Sequence, residues 1–362
     1  MPLIAYIRAH GVTDFPHHFA FFGHLEKLGL LDRYQFALDT IYDPMYCLQL
    51  IDRFPQLKLV DDVSRPRWWL KYVQAHVGRG YRPLAYLDKF DAVCEAPGGR
   101  INGMYMHGDI FRMYPRVERR AILFHSIEPG ALEDPGTKAS IAAADLVVAR
   151  THQSAENAKA AGAKWVCASS DIVFLEHPRP IETRPGIAVA LRLPNHGVTE
   201  SYLTTLRDIV ARLEKREGQV DFVRIEEPMG REMIIRGLGS YRKPNAGLYY
   251  EDTMYLPFLH RRDAIISARL HTTLVSLLYG NRKILQFHIE LGTNKSEEIL
   301  GDIGLHSLKV HRQPDVCWPL IEQFLEEEQT FSEAEAQSAL SLAKSKTMEG
   351  MNAFLEWLDT IK

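Results

Sequence analysis

The chain has 362 residues, 46% of them hydrophobic and 25% charged, with a formal net charge of −3. That length supports two domains with separate cores, and the near balance of charge supplies no basic field for nucleic acid. No run approaches the roughly 18–20 apolar residues of a membrane helix, the N-terminus lacks the basic region and apolar core of a signal peptide, and Cys47, Cys94, Cys167 and Cys317 form no CxxC pair, so a reducing cytoplasm fits and a structural zinc site does not.

Residues 3–8 read as a first strand. His17, His18 and His24 follow among Phe15, Phe19, Phe21 and Phe22. No Asp, Glu or Cys stands beside them at ligand spacing, so they read as an aromatic core with exposed imidazoles, not a metal site. Residues 66–69 and 79–83 look like surface segments, the second basic enough to touch a phosphate or a sugar.

From residue 91 the pattern becomes regular. Residues 91–96 are a strand followed by Pro97-Gly98-Gly99-Arg100. Paired glycines there either let a backbone approach a ligand or make a turn. Residues 121–126 form a strand ending in His125 and Ser126, 138–144 a helix and 145–149 a strand. Arg150 and Ser154 open a helix that Gly162 closes, and 164–168 are a strand ending at Asp171. Cys94 and Cys167 lie in apolar runs and read as small core residues. Strands alternating with helices predict a parallel sheet covered on both faces, and ligands bind beyond the C-terminal ends of such strands. Gly98, Gly99, His125, Arg150 and Asp171 all fall there.

Pro178, Pro180 and Pro185 keep residues 176–186 extended, as in an inter-domain linker. The alternation then restarts. Residues 187–192 are a strand ending in Arg192. Thr199 is an N-cap for a helix over 200–216, and 220–224 are a strand. Residues 225–262 show no clear pattern. After a strand over 283–288 and a short helix following Lys295, residues 315–360 read as wholly helical, with Trp318, Leu320, Ile321, Phe324 and Leu325 on one face. His288 reads as a core histidine.

Residues 263–280 stand out in this second half. Residues 264–268 are short and apolar enough for a buried strand, and 272–279 read as a helix closed by Gly280. Arg269 and His271 lie between them. The free N–H groups and dipole of a helix start attract an anion. Arg269 adds a bidentate clamp for carboxylate or phosphate, and His271 can move a proton near neutral pH. The alternative is structural, an Arg at a strand end paired with a carboxylate.

Four stretches together resemble the polysaccharide pyruvyl transferase family. They are residues 91–100 with Gly98 and Gly99; residues 143–162 with Arg150, Ser154 and Gly162, followed by Asp171 and Phe174; the strand ending in Arg192; and Ser267-Ala-Arg269-Leu-His271 with Lys295, Gly304 and Leu305 beyond. The family's Asn–x–Gly–Asp type turn after the first strand is degenerate here, at residues 9–14.

The resemblance implies an α/β fold of two Rossmann-like domains facing a cleft, similar to GT-B glycosyltransferases. The boundaries are 1–180 for an acceptor domain, 187–310 for a donor domain, and 311–362 for C-terminal helices packing back on both. It implies a cytoplasmic, phosphoenolpyruvate-dependent transferase that builds a pyruvate ketal on two sugar hydroxyls of a surface or extracellular polysaccharide, without cofactor or metal. Arg192, Arg269 and Lys295 then hold the donor, and His271 with Arg269 carries the chemistry. His125, Asp171, Gly98 and Gly99 face the glycan acceptor; for His125 and Asp171 the other readings are a second acid–base group or a strand-end residue satisfying nearby backbone. A lipid-linked acceptor places the protein at the inner membrane surface. The competing readings are a nucleotide-sugar glycosyltransferase on the same architecture and a non-catalytic glycan-binding protein.

Overall fold

The structure is a computed structural model. It describes residues 1–7, 15–39, 50–60, 89–98, 100–102, 109–111, 114, 116–176, 186–190, 200–217, 220–222, 263–288, 295–312 and 315–361. Arg192, Gly99, Thr199, most of the proline-rich linker and the segments 66–69, 79–83 and 225–262 lie outside these residues. The chain divides into two compact units, one comprising Met1–Glu176 with Ala343–Lys362 and the other His177–Leu342. Residues 311–342, set apart with the tail in the sequence reading, therefore belong to unit two.

Unit one carries the strands β1 (Leu3–Ile7), β2 (Gln35–Leu38), β3 (Lys58–Leu59), β4 (Ala92–Glu95), β5 (Arg100–Ile101), β6 (Arg119–Ile127), β7 (Leu146–Ala149) and β8 (Val166–Ala168). The sheet runs β3-β2-β1-β4-β6-β7-β8, with β5 on β6, and the described pairings are all parallel. Parallel strands are covered on both faces, so they read as continuous apolar runs; all four residues of β7, Leu-Val-Val-Ala, are buried. Helix α1 (Phe15–Lys27) follows β1, α2 (Pro135–Ala143) follows β6, and α3 (His152–Ala161) follows β7. From β1 the chain moves outward through β2 and β3, then returns to β4 on the other side of β1. This reversal is the topological switch point, where ligands of open α/β sheets bind.

Unit two repeats the plan. Its strands β9 (Ile187–Ala190), β10 (Val220–Phe222), β11 (Ala264–Ser267), β12 (Ile284–His288) and β13 (Val310–Arg312) lie in the order β10-β9-β11-β12-β13, again all parallel. Here the order reverses between β9 and β11. Its helices are α4 (Glu200–Glu217), α5 (Leu270–Leu278), α6 (Lys295–Asp302) and α7 (Trp318–Glu326). Ile321 and Phe324 of α7 are buried in the unit's core, with Trp318, Leu320 and Leu325 packed beside them.

The tail is not wholly helical. Helix α7 ends at Glu326, and α8 (Glu333–Leu358) begins anew behind a reciprocal cap. Ser332 Oγ accepts from Glu335 N (3.2 Å) while Glu335 Oε2 accepts from Ser332 N (2.9 Å). This capping box satisfies two amides that a continuous helix would not leave open. The later turns of α8 pack within unit one. Phe354 lies against Phe21 at 5.2 Å between ring centroids, in an aromatic core that also holds Tyr6, Phe22 and Phe36. No helix among the described residues is long and apolar enough to cross a membrane.

Two helical glycines make opposite predictions. A Cβ on Gly350 would lie 2.8 Å from Val148 Cγ1 and 2.9 Å from the Phe124 ring, whereas a Cβ on Gly23 in α1 meets nothing within 4 Å. Gly350→Ala should therefore destabilise by about 1–3 kcal/mol through overpacking, and Gly23→Ala should stabilise by about 0.5–1 kcal/mol through helix propensity. Chemical denaturation of the two variants beside the parent measures both.

Candidate functional site

In unit two the polar turn between β11 and α5 stands at the switch point. Ser267 at the end of β11 is in register with Ala190 at the end of β9, and Ala268 N donates to Ala190 O (2.8 Å). Ser267 shapes the turn. Its Oγ accepts from Arg269 N (2.9 Å) and donates to Arg269 O (2.8 Å). Arg269 becomes the N-cap of α5 in an extended conformation and contributes no side-chain cap. A helix start of this kind attracts negative charge. Arg269 is half-buried, and His271, the second helical residue, is buried. The helix is anchored beneath by a Thr273 Oγ1 hydrogen bond to Gln286 Oε1 of β12, and the Gln286 amide is itself held by Nε2 donating to Phe287 O on the same strand (2.7 Å).

Lys295 opens α6, after β12, the strand next to β11. The same first turn carries Glu297 and Glu298, the charges that a helix dipole favours at an N-terminus. Two of the three expected donor residues, Arg269 and Lys295, and the expected catalytic His271 thus follow the adjacent strands β11 and β12. The third donor residue, Arg192, follows β9 in sequence but lies outside the described residues.

Unit one gathers a buried polar cluster at the same edge of its own sheet. Arg150, after β7, places Nη1 3.1 Å from Asp171 Oδ2 and donates through Nη2 to Ser126 Oγ (3.0 Å). Asp171 Oδ1 lies 2.8 Å from His17 Nε2 and accepts from Val173 N (3.1 Å), capping the short 3-10 turn Ile172–Leu175. Thr347 of α8 donates to the Asp171 carbonyl (3.1 Å). His17, Arg150 and Asp171 are each at most 1% exposed. Both carboxylate oxygens of Asp171 are engaged inside the unit, the arrangement of the alternative reading in which Asp171 is a strand-end residue that satisfies neighbouring groups.

His125 is placed by a bulge. The β6–β7 register shifts between Ile122 and His125, and Phe124 adopts φ +52°, a conformation uncommon for a bulky residue. Bulges of this kind re-aim side chains near sites. His125 Nε2 donates to Ala96 O (2.8 Å) and lies 3.7 Å from Glu95 Oε1. Gly98, with φ +113°, donates to Phe124 O (3.4 Å); that φ calls for glycine. Gly99 lies outside the described residues.

The expectation of exposed imidazoles in the first helix is corrected, since two of the three are buried and His24 is half-buried. His17 and His18 are each 1% exposed, because each has a polar partner within the fold, Asp171 for His17 and the Tyr6 hydroxyl (2.7 Å) for His18. Sequence reasoning named Ser126 and Ser267 without giving either a role, and passed over Glu95. Ser267, two residues before Arg269, carried a usable signal, since serine bonds readily to backbone two residues on. At the helix start after β7 the N-cap is Thr151, which accepts from Ser154 N (3.0 Å), while Ser154 Oγ accepts from Ile127 N (3.0 Å). Cys94 is buried, and burial pushes its thiol well above the usual range. Cys167, on edge strand β8, is only partly buried rather than a core residue.

No protein-family model matches the chain, and no curated protein matches it in sequence. Solved structures match it in fold along its whole length. A MnaA–UDP co-structure from S. aureus aligns with TM-score 0.61 at 12% identity, covering 100% of this chain and 98% of that one. The UDP-GlcNAc 2-epimerase from Neisseria meningitidis bound to UDP-GlcNAc aligns at 0.58 and 13%, covering 98% and 100%. An α,α-trehalose-phosphate synthase (UDP-forming) from Burkholderia vietnamiensis aligns at 0.51 and 10%, covering 100% of both chains. The fold is GT-B. These neighbours belong to a different enzyme class from the one expected, and the ketal-forming, phosphoenolpyruvate-dependent transferase is accordingly corrected.

Two predictions follow from the side chains described. Arg150→Met strands the Asp171 carboxylate without its cation and should cost about 3–5 kcal/mol of stability, read from urea unfolding. In unit two, His311 lines a cleft of about 420 Å³ with Asp315 and Lys309. Burial lowers its pKa, Lys309 acts in the same direction, and Asp315 opposes them. Below the ordinary histidine range the unfolded chain binds a proton that the folded one resists, so stability rises with pH through that window. His311→Gln should flatten the slope of unfolding midpoint against pH between about 5 and 7.

Proposed function

We propose that the chain is a nucleotide-sugar enzyme that transfers a glycosyl group from a nucleoside-diphosphate sugar to an acceptor hydroxyl. The observation that carries this reading is the uncapped start of α5, with Arg269 and His271, at the switch point of unit two. A diphosphate needs several N–H donors and fixed cations close together. The start of α5, Arg269 and Lys295 offer that set. The likeness in fold to structures holding UDP and UDP-GlcNAc supports a nucleotide donor.

In this scheme Arg269 and the amides of α5 stabilise charge building on the departing diphosphate, which is where a preorganised site contributes most. His271 offers a proton to the same group. A second reading, epimerisation of the nucleotide sugar itself, is favoured by the higher TM-scores of the MnaA and epimerase structures than of the synthase. Incubation without acceptor separates the two, since an epimerase converts its sugar nucleotide to an isomer whereas a transferase releases nucleoside diphosphate only as acceptor is consumed.

UDP and UDP-GlcNAc should raise the thermal unfolding midpoint of the wild type, with stabilisation of about 2.7 kcal/mol at a hundred times the dissociation constant. Arg269→Ala should weaken UDP binding by about 10–100-fold, as expected for loss of charge-assisted hydrogen bonds. Isothermal titration measures this. A wild type that binds neither compound overturns the reading.

A further inference from the structure

We propose that Ser267 is the positioning residue of the donor's anion site, holding the backbone of Arg269 so that its guanidinium meets the diphosphate. The proposal rests on the nucleotide-sugar reading above and lies wholly within unit two. A hydroxyl has one hydrogen to donate and two lone pairs to accept with. Ser267 Oγ turns both functions on one residue, accepting from Arg269 N (2.9 Å) and donating to Arg269 O (2.8 Å). The same carbonyl accepts from Thr273 N (3.2 Å) on the first turn of α5. Arg269 is thus tied to the strand end behind it and to the helix ahead of it.

Ser267 is itself well held. It is fully buried, and it lies in register with Ala190 of β9 on one side and Gln286 of β12 on the other. The hydroxyl therefore projects from the middle of the sheet and not from a loop.

Two helices of unit one start differently. Asp134 at the N-cap of α2 accepts from Thr137 N, and Thr151 at the N-cap of α3 accepts from Ser154 N. Side chains of that kind are spent on the helix's own amides. Arg269 holds the N-cap position of α5 and cannot act in that way, because a guanidinium has no acceptor. Its backbone is ordered instead by the hydroxyl two residues upstream. The consequence is directional. With Arg269 fixed at φ −125° and ψ 119°, the Cα–Cβ bond has one orientation, and that sets the arc the guanidinium can reach. A misplacement of about 1 Å in a positioned group can cost on the order of 100-fold. A serine that bonds to backbone two residues on also builds ordinary turns. What separates the two roles is whether Ser267 acts through the Arg269 side chain.

A double-mutant cycle on the full chain decides this, with UDP binding read by isothermal titration. Ser267→Ala should weaken UDP binding about 10-fold, in the range for loss of a buried hydrogen bond. In the Arg269→Ala background the backbone groups of residue 269 remain and the guanidinium is gone. There the same change should weaken binding by less than about twofold, the spread expected of uncoupled sites. A serine that only builds the turn costs the same factor in both backgrounds, and that result overturns the proposal. Ser267→Ala binding UDP as the wild type does also overturns it. If Ser267→Ala does not fold, Ser267→Cys takes its place in the cycle, having a similar shape and a weaker acceptor. Inorganic pyrophosphate separates the proposal from the donor reading. A wild type that binds pyrophosphate but not UDP overturns the donor reading, and the cycle run on pyrophosphate then decides the role of Ser267. A wild type that binds neither overturns both.

Discussion

A parallel sheet covered on both faces leaves polar groups one place to go. Each described strand pairing in both units is parallel, so each return of the chain requires a crossover and the strand interiors are apolar. Polar side chains collect where strands end and helices begin. Glu95, His125, Arg150 and Asp171 in unit one, and Ser267, Arg269 and His271 in unit two, all occupy that edge. The reversal of strand order then separates two strand ends and opens a crevice between their crossovers. The candidate chemistry of the chain follows from that single constraint, applied twice.

Within unit one the constraint is tightened by Asp171. One carboxylate fixes a guanidinium from the β7 end, an imidazole from α1 and the start of a 3-10 turn, and its backbone carbonyl receives Thr347 of α8. Elements distant in sequence thus converge on one residue. Such a cluster is weak evidence for stability, because well-packed apolar residues could serve as well. It gives instead a fixed geometry at the edge of the sheet.

The donor assignment shows how far residue chemistry reaches. An uncapped helix start with an arginine recognises negative charge and planar oxygen pairs. A carboxylate beside a phosphate and a diphosphate present nearly the same features to it. The turn was therefore legible as an anion site, while the identity of the anion was not. Structures of like fold hold UDP and UDP-GlcNAc, and for this chain the nucleotide-sugar donor is a proposal. Fold does not by itself assign chemistry, which is why that reading rests on the turn as well.

Much of the architecture was legible from local pattern. Short apolar runs bounded by helices predicted the strands β4, β6, β7, β9, β11 and β12, because hydrophobic periodicity and buried length are properties of a few consecutive residues. The turn at Arg269 and His271 was legible for the same reason. The capping box at Ser332 and Glu335 was equally local and was overlooked, so the tail read as wholly helical with no break placed in it. What only the tertiary structure decided was partnership across long separations. His17 and Asp171 are 154 positions apart, Arg150 and Asp171 are 21 apart, and Thr347 lies 176 beyond Asp171. No periodicity records such pairings, because they arise when crossovers bring different strand ends together. A histidine with no ligand-type neighbour in sequence was read as exposed; the fold supplied the carboxylate that allows it to be buried.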